Sequence, residues 1–447
     1  MRTWTDIGRL LCAATVVLPL SACGGNSRSG ANTPAEKTSA AMSTATSAAP
    51  AAKQWPAFDP PSDFRSPDTP SLPADAIAER LSVGGVLAAP PAVLLKDRIA
   101  FVGGRSSIQA VDPDSGKVLA TVSAKYPTAT HPNQLTLGPA AAAPVLATVG
   151  GREVVLSAVA STVPAQGTTG ATGIVELLEM DAATHAAAGD VQIPLGAGAA
   201  GSSYRDYGHV TVAAVTGTTA ILQVGQSDAV ETIAFDLVAN KPLWRQDGTT
   251  LLHAGAQQLL VATQRDPANN ELAALDLATG AKKWEKTRYS QVGGTSIGPD
   301  RLLMTAFDSE RGKLLTAVIT ATDGSESQVS TDTVHRFTTC FDDAAPVTVC
   351  TDAASSGPAA VSAFDPATGK VLWQLPDTAA NRVAPRVTAV RHGRVYGTVD
   401  GTPVMLDAAT GADVPGTPNI APLVVDGYFG LALDAEKKNL VAYHTSA

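Results

Sequence analysis

The sequence predicts an all-β fold built from repeated four-stranded antiparallel units, and three observations carry that reading. Of the 447 residues, 45% are hydrophobic but only 5% are aromatic and 16% charged, with 39 Gly and 30 Pro. That composition suits short strands and tight turns better than long salt-bridged helices. One phrase then recurs: Ala274-Leu275-Asp276-Leu277-Ala278-Thr279-Gly280-Ala281-Lys282-Lys283-Trp284, and again Ala363-Phe364-Asp365-Pro366-Ala367-Thr368-Gly369-Lys370-Val371-Leu372-Trp373. Finally, most copies stand 40 to 45 residues apart, the length of one four-stranded unit.

The N-terminus is read first. Arg2 and Arg9 flank a polar start, and Leu10 to Leu20 is an apolar stretch of eleven residues, too short for a transmembrane helix. Leu20-Ser21-Ala22-Cys23 follows and resembles the lipobox of bacterial lipoprotein precursors. The resemblance implies that residues 1–22 are a signal peptide and that Cys23 carries the lipid, a palmitate-type diacyl anchor. The alternative is an ordinary secretory signal ending in a small-small-Cys run. From Gly24 to about Asp75 the chain is mostly Ala, Ser, Thr and Pro, which cannot offset its ordering entropy by burial. Residues 23–75 are therefore expected to be a tether, with a reach of roughly 40 Å, and residues 76–447 the folded domain.

The repeat supplies the folded domain. Anchor positions at 112, 181, 236, 276, 320, 365 and 407 are separated by 69, 55, 40, 44, 45 and 42 residues. Asp112 leads to Gly116, Asp236 to Asn240 and Trp244, Asp276 to Gly280 and Trp284, Asp365 to Gly369 and Trp373, and Asp407 to Gly411. Degenerate copies stand at Asp181, with His185 in the Gly position, and at Thr320, followed by Asp323-Gly324. An Asp ending a strand can accept backbone N–H groups in the turn ahead, and Gly or Asn four residues on takes the left-handed conformation of a tight hairpin. The Trp eight residues after the Asp is expected on the outgoing strand, packed between units against small residues such as the phrase's own Ala.

After the seventh phrase, Ile420 to Asp426, Tyr428 to Asp434 and Leu440 to His444 read as three further strands. A fourth, expected from Ala76 to Gly84, would close a ring by sharing one blade between the chain ends. The result is a β-propeller of eight blades, with seven as the alternative.

Of the four cysteines, Cys12 would leave with the signal and Cys23 would take the lipid, leaving Cys340 and Cys350. They lie on two short strands around an Asp342-to-Pro346 turn, so a disulfide across one hairpin is expected in an oxidising compartment. Two buried free thiols are the alternative.

The turn phrase resembles the repeat of the quinoprotein-like β-propellers over about 370 of the 447 residues. That family has dehydrogenases that hold pyrroloquinoline quinone over the channel and non-enzymatic, BamB-like lipoproteins. The dehydrogenases share adjacent cysteines, calcium ligands and a catalytic Asp. This sequence has no adjacent cysteines and shorter units, so the resemblance implies the binding branch, with a quinone-dependent oxidoreductase as the alternative.

Catalytic patterns are sparse. Gly294-Thr295-Ser296-Ile297-Gly298 matches the spacing of a nucleophile elbow, but that motif needs a strand-to-helix turn, whereas here a turn entering a strand is expected. The His residues at 131, 185, 209, 253, 335, 392 and 444 have no metal-ligand spacing. Asp112-Pro113-Asp114 lacks the further acidic positions of a calcium loop. No catalytic residue, metal or cofactor is assigned. The formal charge of -9, without a Lys/Arg-rich run, argues against nucleic acid as a partner.

One asymmetry points to binding. Tyr126, Tyr204, Tyr207 and Tyr289 fall in the segments joining successive units, as do Arg205, Arg288, His335, Arg336, Phe337 and Arg382. Tyr and Arg are enriched where proteins bind partners; the competing account is that exposed connections tolerate such residues. Pro164 to Gly173 and Arg265 to Asn270 are expected to rim the same face. The expectation is a lipid-anchored propeller facing outside the cytoplasm that binds a protein, peptide or cell-envelope component. The Ala, Thr, Gly and Val bias resembles products of high-GC, actinobacterial genomes, for which the anchor would sit in the outer leaflet of the plasma membrane. In a two-membrane cell, Gly24 after the lipid Cys would favour the outer membrane.

Overall fold

In a computed structural model the described residues are 57–65, 71–76, 91–128, 141–195, 210–225, 230–266, 269–330, 337–342, 346–352, 360–434 and 439–446. They form eight antiparallel sheets, the blades of a β-propeller. The first seven blades span 93–123, 145–194, 210–247, 249–286, 289–330, 337–375 and 386–407. The eighth combines Val424–Val425, Phe429–Asp434 and Asn439–Ser446 with the N-terminal strand Asp63–Arg65 on its outer edge. First strands of neighbouring blades lie against one another at blades two to six and around blade eight, so they form the inner wall of the ring. Strand alternation puts the first-to-second and third-to-fourth hairpins on one face, here the turn face. The second-to-third hairpins and the crossovers between blades lie on the opposite, crossover face.

The turn phrase folds as its chemistry requires. Asp276 Oδ1 accepts the N–H groups of Ala278 and Thr279 at 3.1 and 3.0 Å, Asp236 and Asp365 do the same in their turns, and Asp407 accepts from Thr410 N–H at 2.9 Å. Four residues after the anchor the backbone is left-handed, with φ of 70° at Gly280 and 68° at Gly411, and also at His185 (58°) and Asn240 (54°). The three tryptophans stand across from the phrase's alanine, as Ala234 to Trp244, Ala274 to Trp284 and Ala363 to Trp373.

Each tryptophan then docks on the next blade's turn. Trp244 Nε1 donates to Leu277 O at 2.8 Å, Trp284 Nε1 to Ala321 O at 3.0 Å, and Trp373 Nε1 to Ala408 O at 2.8 Å. A Cβ at Gly280 or Gly411 would lie 2.7 or 2.6 Å from the facing indole, so these glycines are needed for closeness as well as for φ. Between blades five and six Arg301 takes over, its guanidinium donating to Ala367 O at 2.8 and 2.6 Å.

Two expectations about the chain ends change. The closing strand is Asp63–Arg65, pairing with His444 to Ser446, and it falls inside the segment read as tether. Of the expected strand at 76–84 only Ala76 is among the described residues, at the end of a short 3-10 turn. The cause is Phe64, fully buried in a stretch whose mean composition is polar. A three-residue strand is too short to show alternation. Leu72 also donates its N–H to Leu440 O at 2.8 Å. Blade seven has three strands among the described residues, and only a single bridge from Leu406 to Asp413 stands in the fourth-strand position.

Cys340 and Cys350 are directly opposed on adjacent strands and form a disulfide. Cys350 packs with Ile297, Leu303, Val318 and Phe364 from blades five and six. Residues 1–56, including Cys23, lie outside the described residues.

Three outcomes follow. Gly411→Ala should destabilise by about 2 to 4 kcal/mol, from left-handed strain plus overpacking on Trp373. Gly401→Ala, where φ is 81° but space is open, should lose only the strain, about 1 to 2 kcal/mol; equal losses in denaturant melts would show that the indole is not the constraint. Breaking the disulfide as Cys340→Ala/Cys350→Ala, which frees a loop with a sequence separation of 10, should cost about 2.5 to 3 kcal/mol; an unchanged unfolding midpoint contradicts this. Turn hydrogen bonds, led by those from Thr184, Thr279, Ser325 and Thr368, hold the carboxyls of Asp181, Asp276, Asp323 and Asp365 below the usual range. Their folded values are depressed, so the stability they contribute is present above the ordinary carboxylate pKa and is lost as pH falls through the depressed values. Acid should thus lower the melting temperature less in the variant with all four changed to Asn than in wild type, and parallel pH profiles would refute it.

Candidate functional site: the crossover face

The first crossover is held by a buried carboxylate. Glu176, on the third strand of blade two and fully buried, accepts the N–H groups of Lys125 and Tyr126 at 2.6 and 3.1 Å. Thr162 N–H reaches Pro127 O at 3.0 Å, so the crossover is sewn to both central strands of the blade. Tyr126 is half-buried, with the Lys125 ammonium 5.3 Å from its ring centroid. The hairpin of Arg152–Val163 and Thr172–Asp181 ends in an exposed tip at residues 164–171. Reciprocal Gln166 and Thr169 backbone bonds of 3.0 Å close that tip. The long loop expected at 164–173 is thus shorter, with Thr172 and Gly173 in the strand.

Blade five corrects the expectation most. Tyr289 is 1% exposed and packs in the core of blades four and five, so it cannot anchor a partner. Its hydroxyl bonds to Glu326 and accepts from Arg288 Nη2 at 2.5 Å. The Arg288 guanidinium lies 4.7 Å from the Tyr289 ring centroid and pairs with Glu326, within 4.0 Å of the fully buried Asp308 carboxylate. Burial, with the Glu326 bond, pushes the Tyr289 pKa up to about 12, so the phenol stays neutral. Arg288 is therefore committed to an internal ion cluster. It fell in the predicted connecting segment, but its partners come from three different strands that spacing alone cannot relate.

Arg382 is also drawn away. Its loop is closed by backbone bonds between Asp377 and Arg382 of 2.9 and 2.8 Å, and its guanidinium donates to Gly411 O at 2.6 Å and to Asp413 at 3.0 Å. It thereby reinforces the turn on which Trp373 docks. Tyr204, Arg205, Tyr207, His335 and Arg336 lie outside the described residues. Of the nine face candidates, Tyr126 alone is both described and placed on the crossover face without an internal side-chain partnership that consumes it.

Further inside, the first strand of blade five carries a bulge. Gln291 is exposed with φ of 51°, and the pairing register shifts between Ser290 and Gly293. Asn270 acts as a surrogate strand partner, accepting from Val292 N–H at 2.5 Å and donating to Val292 O at 3.3 Å. Sequence reading missed this pair; the signal available was the Gly293-Gly294 break in an otherwise regular strand.

The Gly294-to-Gly298 motif lies inside the strand Tyr289–Gly298, not at a turn before it. Ser296 Oγ stands 3.0 Å from His253 Nδ1 on blade four and donates to Gly298 O at 3.2 Å. Burial holds His253 below its ordinary pKa. The pair ties two first strands together, and a serine on an extended strand lacks the sharp turn that a nucleophile elbow requires. Among the described residues no group of three or more His, Cys, Asp or Glu side chains could hold a metal ion, and no helix is long and apolar enough to cross a membrane.

Comparison with known proteins adds the fold's company. No family model and no curated protein sequence matches the chain. Similar solved structures include BamB from Moraxella catarrhalis, at 15% identity and a TM-score of 0.39, covering 79% of this chain and 96% of that one. A europium-containing methanol dehydrogenase is similar at 10% identity and a TM-score of 0.39, with 79% and 83% covered. TolB from Acinetobacter baumannii stands at 11% and 0.32, with 81% and 98% covered.

Tyr289→Phe should lower stability by about 1 to 3 kcal/mol, because Glu326 loses a donor in a largely buried setting. The same substitution should leave partner retention unchanged in a pull-down, and selective loss of retention without destabilisation would return Tyr289 to the binding face.

Proposed function

We propose that this chain is a lipid-anchored, extracytoplasmic propeller that binds a protein, peptide or cell-envelope component on its crossover face. One observation carries the reading: the side from which the chain joins the ring. Phe58 N–H donates to Gly427 O at 2.8 Å, and Asp59 pairs with Arg391 and His392 at 2.6 and 2.9 Å. These partners belong to first-to-second-strand hairpins of blades eight and seven, which lie on the turn face. The described chain therefore joins the ring on the turn face, opposite the crossovers and the residue 164–171 tip, which leaves the crossover face open to a partner.

Two experiments address anchor and face separately. Cys23→Ala should appear in the medium or remain unprocessed in membrane fractionation with intact-mass analysis, because no other side chain there can form the thioether. Retention in the membrane with the wild-type mass shift would refute the anchor. For the face, Tyr204→Ala, Arg205→Ala and Tyr207→Ala are combined. Loss of a central Tyr or Arg anchor should weaken binding of a cross-linked native partner by about 2 kcal/mol, or thirtyfold, with the melting temperature of the variant measured alongside to separate lost binding from lost folding. Equal retention by variant and wild type would remove this segment from the interface.

A further inference from the structure

The junction between blades seven and eight is sealed differently from its neighbours. Blade six docks on blade seven through Trp373, but the phrase at Asp407 is followed by no Trp. Residues 57–65 fill the place. Phe64 is fully buried, lying edge-on to Tyr396 with centroids 5.9 Å apart. A Cβ at Gly430 would come within 2.5 Å of the Phe64 ring, so the slot is cut for an aromatic side chain. Tyr396 Oη donates to Pro61 O at 2.6 Å, and Asn419 Nδ2 to Phe64 O at 2.8 Å. At the strap's start Asp59 takes both Arg391 Nε and Nη2, at 2.9 and 2.6 Å.

We propose that residues 57–65 form a releasable strap, and that the slot it fills between blades seven and eight is a binding site for an extended peptide bearing an aromatic residue. Two features make the strap separable from the ring. Its strand pairs over only three residues, Asp63 to Arg65, whereas the acceptor strand Asn439–Ser446 is also paired along Phe429–Asp434, so the acceptor stays in its sheet when the strap leaves. Its ionic end is partly solvent-exposed at both Asp59 and Arg391, so it can be uncoupled without breaking the core. Recognition then combines backbone pairing to a sheet edge with one pocket for a side chain, the usual economy of strand addition. An acidic residue five positions before the aromatic completes the match, as Asp59 stands to Phe64. The slot exists whether or not the N-terminus is lipidated.

The test uses the full chain with Asp59→Asn and, separately, Phe64→Ala. By hydrogen exchange, Asp59→Asn should speed exchange in residues 57–65 and on the facing strand by about tenfold, since a charge-assisted pair is lost from a locally opening segment. Exchange at Leu259 to Val261 in blade four should not change. A fluorescent peptide of sequence Ala-Phe-Asp-Pro-Pro-Ser-Asp-Phe-Arg should bind the Phe64→Ala chain saturably and restore protection to Asn439–Ser446, whereas the same peptide with Ala as its eighth residue should not. If Phe64→Ala fails to fold, the same peptide pair is titrated against Asp59→Asn. Acceleration spread equally over all blades, or none at the strap, would overturn releasability. Equal binding of the two peptides, or of neither, would overturn the site.

Discussion

The ring depends on an indole resting on a glycine. Each blade is a small sheet of short strands whose faces would be left in water if the neighbour did not cover them. The turn phrase solves geometry and adhesion together. Its Asp gathers backbone N–H groups, which lets the residue four positions on turn left-handed. That residue, being Gly at 280 and 411, leaves a flat place where the preceding blade's Trp can lie. The carbonyl just after the anchor then faces the indole N–H. Asp, Gly and Trp are one joint divided between two blades, which is why they recur in fixed phase.

Where the Trp is missing, the substitutes keep the position and change the chemistry. Arg301 reaches the same turn of blade six through its guanidinium. Blades eight and one are joined by His444 on Asp114, 2.8 Å apart, and by Arg98 set 5.3 Å from the Tyr428 ring centroid. Phe64 serves at the seam where the chain's two ends meet. All of these joints engage the turn face or the rim. The crossover side is held instead by buried carboxylates, Glu176 beneath the first crossover and Glu326 with Asp308 in blade five, and it carries the long hairpin of blade two and the bulge at Gln291.

Most of the fold was legible because the joint is local in sequence. The phase of Asp, Gly and Trp located seven blades, and three unclaimed strands at the C-terminus called for an eighth, which is the count observed. What sequence periodicity could not place was the closing strand. Three residues cannot display alternation, and Phe64 belongs to the core only because Gly430 and Tyr396, more than 300 positions away, make room for it. The disulfide was readable for the opposite reason: Cys340 and Cys350 face each other across a single hairpin.

The candidate site was far less legible, and Tyr289 shows why. It follows a crossover Arg, so its position resembles that of a surface aromatic. Its fate is decided by Glu326, on the fourth strand of the same blade, and by Asp308 behind Arg288. A carboxylate that would otherwise be stranded in a low-dielectric setting recruits both residues inward. Arg382 is likewise captured by a carbonyl, that of Gly411. Enrichment of Tyr and Arg therefore marks two populations in a propeller: residues that reach outward from crossovers, and residues that satisfy buried acceptors beneath them. Only the partner of each side chain separates the two, and that partner is set by blade-to-blade packing, which the period of the repeat does not encode.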